Sequence, residues 1–358
     1  MHSSQDHFIG YEKIFESQTK WNLTPADLRA FKKTDWVVTE KIHGANFCIT
    51  TDGSNVRFAK RKEFLQPGED FFGFKSKESR LINQVNEIFK ILQAEAKVPL
   101  KVFVYGELFG GEYPHPDVPS VTNVQAVQTG VYYSPDIEFC AFDIAIVENN
   151  NLASRNYKDY HKALTIFQQV GMMNALPLFV GKYETALAYH PEFDSTIPGL
   201  LGLPKLPFAN KAEGIVIKPV KSFWLESAKG RIRPILKIKI PEFAEDSRFH
   251  QATKWHQQQS SNYSQIVSTE EWLDGVMLAL ITETRLHNVI SKIGRVSATN
   301  TKVKQQLMQL LVTDVLSTFN EEYGKLFSTL PSPSQANLIA KLQRESENLV
   351  ERYFTNKI

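Results

Sequence analysis

The stretch WVVTEKIHGANFCITTDGSNVRFAKR, residues 36–61, decides the fold of this chain. Three runs rich in β-branched and aromatic residues predict strands at residues 36–39, 47–50 and 56–59. The tetrapeptide Asp52-Gly53-Ser54-Asn55 separates the last two runs and predicts a hairpin turn. A charged connection, residues 40–44, follows the first run. The stretch therefore predicts an antiparallel sheet with a lysine at the end of one strand.

The rest of the chain extends this pattern and then changes. Further strands are predicted at residues 102–105, 139–144, 214–217 and 235–240, and helices at 78–96 and 157–170. A polar stretch at 250–263 predicts a hinge or a short polar helix. Beyond it, apolar residues at i, i+4 spacing over 303–327 and a capping box at 332–335 predict helices. We therefore expect an α+β domain, residues 1–245, of antiparallel sheets with flanking helices, and a small all-α domain, residues 246–358.

Composition limits the kind of protein. The chain has 358 residues, 42% of them hydrophobic and 22% charged, which is typical of a soluble globular protein. The net charge, 41 − 39 = +2, argues against coating nucleic acid through bulk charge but allows a local phosphate-binding groove. No apolar run is long enough to cross a bilayer, and no secretory signal is recognisable. We therefore expect no membrane partner.

The two cysteines, Cys48 and Cys140, lie within apolar strand-like runs. This position predicts buried free thiols, although a disulfide stays possible. No histidine pattern accompanies the two cysteines, so they predict no zinc site. Free thiols suit a reducing compartment, and we expect a cytoplasmic protein, or one in the host cytoplasm if the protein is viral.

Lys41 is the candidate nucleophile. A lysine attacks phosphorus only as the free amine, and its usual pKa is ~10.4, so a site must lower it by desolvation or nearby positive charge. Gly44 allows a tight turn and a close approach of backbone to a ligand. Asn46 offers an amide to a ribose hydroxyl or a phosphate. Taken alone, this short string also fits a surface lysine before a turn.

The residue types that a nucleotidyl transfer needs recur at later strands. Glu107 and Glu213 stand at strand ends, and Phe142 lies within an apolar run. Lys237 and Lys239 share one face of an alternating strand, with isoleucines on the other face. Each also fits a simpler role as a strand-end charge, a core aromatic or part of a solvated face. Their order along the chain instead favours a groove that collects cations, acids and an aromatic around Lys41.

In this order the residues form the motifs of a known family. The chain resembles the RNA ligase 2 type of RNA ligases, which includes phage enzymes and the RNA-editing ligases of trypanosomes. With DNA ligases and mRNA capping enzymes, these are covalent nucleotidyltransferases. The resemblance covers about residues 36–243 and rests on motifs at residues 41–46, 104–107, 139–146, 213–218 and 236–239. His43 discriminates within the superfamily, because DNA ligases and capping enzymes usually carry aspartate at that position.

The resemblance implies an ATP-grasp-like ligase fold for the first domain and an RNA-engaging role for the helical one. It implies ATP and a divalent metal, Mg²⁺ or Mn²⁺, as cofactors and RNA as the partner of a monomer. The catalytic residues that it implies are Lys41, His43, Arg61, Lys237 and Lys239. The nucleotide-binding residues that it implies are Glu40, Lys41, Ile42, Asn46, Arg61, Glu107, Phe142, Glu213, Lys218, Lys237 and Lys239. The metal-binding residues that it implies are Glu107 and Glu213.

The implied reaction is ATP-dependent joining of RNA 3′-OH and 5′-phosphate ends through lysyl-AMP and RNA-adenylate intermediates, with nicks in duplex RNA as the expected substrate. Two alternatives differ in testable ways. A GTP-dependent capping-type guanylyltransferase should carry aspartate at position 43 and an OB-fold after the last motif. A non-catalytic protein that binds RNA ends would tolerate loss of Lys41, Glu107 or Lys237, yet all three are present.

Overall fold

The computed structural model describes residues 8–96, 98, 100–149, 151, 155–227, 230–243, 269–297 and 299–355. The chain separates into two compact units, residues 1–240 and 241–358. The predicted hinge at residues 250–263 and the expected boundary at residues 245 and 246 lie outside the described residues.

The strands of the first unit follow most of the predicted runs. They are β1 (Trp36–Glu40), β2 (Ala45–Thr51), β3 (Val56–Lys60), β4 (Leu100–Glu112), β5 (Ser134–Glu148), β6 (Asn156–Tyr157), β7 (Pro177–Gly181), β8 (Gly214–Pro219), β9 (Leu225–Ser227), β10 (Gly230–Ile232) and β11 (Leu236–Lys239). The helices of this unit are α1 (Pro25–Lys33), α2 (Glu78–Glu95), α3 (Tyr160–Gln169), α4 (Tyr183–Leu187) and α5 (Ile197–Leu200).

Two antiparallel sheets form the first unit. One has the strand order β11-β8-β1-β7 and the other β3-β2-β4-β5-β6, while β9 and β10 form a separate hairpin. Every strand pairing within these sheets is antiparallel, which confirms the predicted fold class. Because β1 belongs to the first sheet and β2 to the second, the chain passes between the sheets at residues 41–44.

The hairpin between β2 and β3 forms as the sequence predicts. The Asp52 carboxylate accepts hydrogen bonds from the backbone N–H groups of Ser54 and Asn55, at 2.9 and 2.8 Å. Gly53 adopts the left-handed region, φ +90°, which an L side chain rarely enters.

Cys48 and Cys140 are buried free thiols, as predicted.

Helix α2 packs on the second sheet. Its buried residues, Leu81, Val85, Ile88 and Leu92, recur at the three- and four-residue spacing of one helix face. Beside this helix an aromatic core surrounds Phe47, whose ring centroid lies 5.0 Å from that of Phe74. This packing fixes β2, the strand that leaves the crossing at residues 41–44.

One helix boundary in the first unit needs correction, and two of its elements were not predicted. The helix predicted at residues 157–170 begins at Tyr160, because Tyr157 pairs with Ala145 as part of β6. Strand β7 was not predicted, although it pairs with β1 along the edge of the first sheet. Helix α1 was also missed, although Thr24 and Asp27 form a reciprocal capping box at its start.

The second unit contains the helices α6 (Thr269–Ala279), α7 (Glu283–Ile293), α8 (Thr301–Phe327) and α9 (Ser332–Thr355). The apolar stripe predicted on α8 is its core face: Leu307, Leu311, Val315 and Phe319 are fully buried. The capping box expected at residues 332–335 is wrong, because Ser332 is already the first helical residue and the backbone N–H of Gln335 bonds to Pro331. None of the described helices has the length and apolarity of a membrane span.

Candidate active site

The end of β1 is held against the start of β8. The backbone N–H of Lys41 donates to the carbonyl of Gly214 at 2.9 Å. Gly214 has φ +146°, and a Cβ there would lie 2.0 Å from the carbonyl oxygen of Ile238 on β11. Only glycine fits this close approach of three strands, so Lys41 is brought beside Glu213, the residue before β8.

Glu213 is shared by three cationic or basic side chains. Its Oε2 lies 2.6 Å from Nζ of Lys41 and 3.1 Å from Nδ1 of His43. Its Oε1 lies 3.4 Å from Nζ of Lys239. Burial alone would raise the pKa of Glu213, but the charges of Lys41 and His43 hold it well below its usual value. The carboxylate is therefore ionised and anchors the candidate nucleophile.

The connection from Lys41 to β2 is packed from both sides. A Cβ on Gly44 would lie 2.1 Å from the carbonyl oxygen of Leu108 on β4, so the second sheet passes directly beneath it. On the other side, the buried hydroxyl of Tyr133 accepts a 2.9 Å hydrogen bond from the backbone N–H of His43. Sequence reasoning did not assign Tyr133, because its partner is a backbone group 90 residues away. Ile42 is buried within this connection.

A second acid lies beside the first. Glu107 on β4 pairs in register with Asn46 on β2, and the Asn46 side chain hydrogen-bonds to it. Burial raises the pKa of Glu107 to about 7, and the negative charge of Glu213 adds to this increase. The positive charges of Lys41 and of the exposed Arg61 lower the pKa and so oppose the increase. Two neighbouring carboxyls thus have pKa values displaced in opposite directions.

The two lysines of β11 reach different carboxylates. Lys239 pairs with Glu213, whereas Nζ of Lys237 lies 3.0 Å from Oε1 of Glu16 in the N-terminal segment. Burial and the charges of Lys239 and Lys41 lower the pKa of Lys237, while Glu16 opposes that shift. These charges place Lys237 close to Lys41 and Lys239, as the alternating strand predicts.

Glu40 has a structural partner that the sequence did not reveal. Its buried carboxylate accepts hydrogen bonds from the Ser195 hydroxyl at 2.6 Å and from the backbone N–H and hydroxyl of Thr196 at 2.7 and 2.8 Å. Burial raises the pKa of Glu40, and these hydrogen bonds oppose the shift. The carboxylate therefore fixes the loop before α5, a structural role that the sequence did not indicate.

Phe142 and Lys218 belong to a neighbouring polar cluster. Nζ of Lys218 donates to the carbonyl of Phe142 at 2.7 Å and lies 2.8 Å from Oδ1 of Asp143. Arg233 lies 3.2 Å from the other carboxylate oxygen, to which the Tyr11 hydroxyl also donates. The Phe142 ring meets Tyr11 edge-on at 4.9 Å. Lys218 thus joins β8 to β5 rather than to the Glu213 cluster.

Two carboxylates are available near Lys41 for a divalent metal. In the part of the chain that the structure describes, no three or more Asp, Glu, His or Cys residues converge as a metal site. Mg²⁺ usually takes only one or two protein carboxylates and completes its shell with water and substrate phosphates. An ion at Glu107 and Glu213 would therefore be shared with phosphates and water and not enclosed in a protein cage, and it would share Glu213 with Lys41, His43 and Lys239.

Comparisons with known proteins assign the chain to a family. The RNA ligase family matches residues 34–239, and the family described as T4 RNA ligase 2 C-terminal matches residues 265–348. The chain therefore belongs to the RNA ligase family, in its RNA ligase 2 branch. Neither the capping-type guanylyltransferase nor the non-catalytic alternative is favoured.

Two similar proteins come from Trypanosoma brucei brucei. The chain is 31% identical to RNA-editing ligase 2, mitochondrial, over 96% of its own length and 92% of that protein. It is 28% identical to RNA-editing ligase 1, mitochondrial, over 89% of its own length and 77% of that protein. Among solved structures, a Naegleria gruberi RNA ligase with PPi aligns with TM-score 0.43 and 13% identity. That alignment covers 67% of this chain and 58% of the Naegleria chain.

Proposed function

We propose that this chain is an ATP-dependent RNA ligase that joins RNA 3′-OH and 5′-phosphate ends through a lysyl-AMP intermediate at Lys41. The observation that carries the proposal is the position of the Lys41 ammonium, 2.6 Å from Glu213 at the crossing between two sheets. Lys237 and Lys239 lie on the neighbouring strand β11. A lysine among further cations and buried acids suits attack on a phosphate.

In the first step, the Lys41 amine attacks the α-phosphorus of ATP, the bond to the leaving pyrophosphate breaks, and lysyl-AMP forms. Glu213 accepts a hydrogen bond from Lys41 and so fixes the position of the Lys41 nitrogen. Because the Glu213 carboxylate has a depressed pKa, the proton that Lys41 must lose passes to solvent, to which the Lys41 side chain is partly exposed. Lys237 and Lys239 supply fixed positive charge for the negative charge that develops on the phosphate.

The nucleotide contacts follow from the residues around Lys41. Phe142 supplies an aromatic face for the base, and the backbone of Glu40 and Ile42 supplies polar groups at its edge. Asn46 hydrogen-bonds to Glu107, and the charge of Arg61 acts on the same carboxyl, which supports the proposal that all three contact the ribose and the reacting phosphate. Lys218 acts indirectly in this proposal, because its ammonium holds the Phe142 carbonyl and Asp143.

The later steps transfer AMP to an RNA 5′-phosphate and seal the strand by attack of a neighbouring 3′-OH, with release of AMP. His43 and Arg61 are proposed to act mainly here. A divalent ion, Mg²⁺ or Mn²⁺, would be held by Glu107 and Glu213 and would supply charge neutralisation on the phosphates.

The first step is tested by incubating the protein with α-labelled ATP and a divalent metal, followed by a denaturing gel. We expect a labelled protein band from ATP and none from Lys41→Ala. The matched control is Lys182→Ala, which removes an exposed lysine paired with Asp35 and should label like wild type. A band that persists in Lys41→Ala, or labelling by GTP instead of ATP, would contradict the proposal.

The RNA substrate is proposed to be a nick in duplex RNA, with the helical unit engaging the duplex by its shape and 2′-OH groups. Sealing rates on a nicked duplex and on free single strands of the same sequence test this choice. Faster sealing of single strands would overturn it. A monomeric state and a cytoplasmic location remain predictions, which gel filtration and cell fractionation would test.

A further inference from the structure

The N-terminal segment, residues 9–16, ties the two sheets together beside the site. At one end, the carbonyl of Ile9 accepts a 2.9 Å hydrogen bond from the Tyr105 hydroxyl of β4. At the other end, the carbonyl of Phe15 accepts a 2.9 Å hydrogen bond from the backbone N–H of Lys237. Phe15 thereby pairs in parallel with Leu236 at the outer edge of β11. The segment therefore has a defined register against β11.

This register places Glu16 next to Lys237. The two side chains form an ion pair of 3.0 Å, in which Lys237 is 25% exposed and Glu16 is 53% exposed. Lys237 also faces the like charges of Lys239 and Lys41. An ammonium with limited access to water has few directions from which an anion can reach it, and Glu16 takes one of them.

The two carboxylates at the lysine cluster differ in how freely they can move. Glu213 is almost fully buried and is fixed by Lys41, His43 and Lys239. Glu16 lies half in solvent, so its side chain can rotate into water at little cost. Of the two carboxylates, Glu16 is therefore the one that another anion can readily replace.

We infer that Glu16 is an internal competitor for phosphate at Lys237. Its carboxylate pairs with the Lys237 ammonium and must move aside when phosphate oxygens of the nucleotide bind, so Glu16 sets nucleotide affinity. The inference rests on the proposed function only in taking Lys237 as a phosphate-binding residue. Partly exposed ion pairs are weak, so the expected change in affinity is about two- to five-fold.

The test is calorimetric titration of the full chain with inorganic pyrophosphate, and with ATP in the absence of divalent metal. Glu16→Gln should bind both anions about two- to five-fold more tightly than wild type. The matched control is Glu95→Gln, which removes a carboxylate of similar exposure that pairs with Lys162 of α3. This control should bind like wild type.

A double-mutant cycle distinguishes competition at Lys237 from general charge repulsion. In a Lys237→Gln background, Glu16→Gln should leave pyrophosphate affinity unchanged, because the contested ammonium is gone. Equal tightening in that background would mean general repulsion. For Glu16→Gln alone, unchanged binding would mean that Glu16 does not compete, and weaker binding would mean that it supports Lys237. Each of these three results overturns the inference. Because binding is measured without chemistry, a failure to form lysyl-AMP would count against the proposed function and not against this inference.

Discussion

The Lys41 ammonium donates a 2.6 Å hydrogen bond to the Glu213 carboxylate, which lies 172 residues further along the chain. The same carboxylate contacts His43 and Lys239. A single buried anion therefore contacts Lys41, the proposed nucleophile, together with His43 and Lys239. The neighbouring carboxylates have different surroundings, so we expect each to respond differently to substitution and to pH.

Replacing Glu213 by glutamine should destabilise the protein by about 3 kcal/mol at pH 7, because it leaves buried cations without their partner. Since the pKa of folded Glu213 is depressed, its contribution is present above the unfolded value of ~4.3 and is lost as pH falls through the folded value. Urea unfolding at pH 7 and at about pH 2.5, inside the interval below the unfolded value, measures this loss. The control is Glu226→Gln, which removes an exposed carboxylate that pairs with Arg231 and should leave the free energy of unfolding nearly unchanged. A pH-independent difference between wild type and Glu213→Gln would contradict the prediction.

Glu107 should show the opposite pH dependence. Its pKa is raised from 4.5 to about 7, so the folded state holds a proton that the unfolded state has already lost in this interval. Its stabilising contribution is complete below pH 4.5 and is lost as pH rises through 7. Wild type should therefore lose stability relative to Glu107→Gln between about pH 5 and pH 7.5, by about 1–3 kcal/mol. The measurement is the free energy of unfolding in urea as a function of pH. If this free energy changes with pH equally in wild type and Glu107→Gln, the pKa of Glu107 is not raised.

Replacing Glu40 by alanine should cost about 3 kcal/mol of unfolding free energy, because three hydrogen bonds to a buried carboxylate disappear and the loop before α5 loses its anchor. Ser195→Ala removes only one of these bonds and should cost about 1 kcal/mol. Thermal or urea unfolding of both variants tests the ranking. Normal stability of Glu40→Ala together with lost adenylylation would instead assign its carboxylate to the nucleotide.

Gly44→Ala should greatly reduce both stability and lysine labelling, because the new Cβ would lie 2.1 Å from the Leu108 carbonyl and 2.9 Å from the Glu107 side chain. The connection that carries Lys41 would have to move. The control is Gly275→Ala on α6, where a Cβ meets nothing within 4 Å. That variant should gain about 0.5–1 kcal/mol from helix propensity. Similar unfolding midpoints for the two alanine variants would refute the close approach.

Local patterns in the sequence were enough for most of the fold. The runs rich in β-branched and aromatic residues around Lys41 predicted β1, β2 and β3, and the Asp52–Asn55 turn predicted the hairpin between the last two. The stripe on α8 predicted a helical second unit. By contrast, β6 and β7 were missed because their short sequences form strands only in contact with neighbours such as Ala145 and β1. Helix α1 was missed although the sequence carries a local signal for it, the capping box of Thr24 and Asp27.

The sequence by itself determined the set of chemical groups at the site: Lys41, the two acids and the paired lysines, recognisable by their order. Only the tertiary structure decided which of them share a partner. In the folded chain, Lys41, His43 and Lys239 all contact Glu213. Glu40 accepts hydrogen bonds from Ser195 and Thr196, and Glu16 forms an ion pair with Lys237. Hydrogen bonds and ion pairs act over a few ångströms, whereas these residues are far apart along the chain. The physical reason is therefore the pairing of β1, β8 and β11, which converts sequence distance into contact.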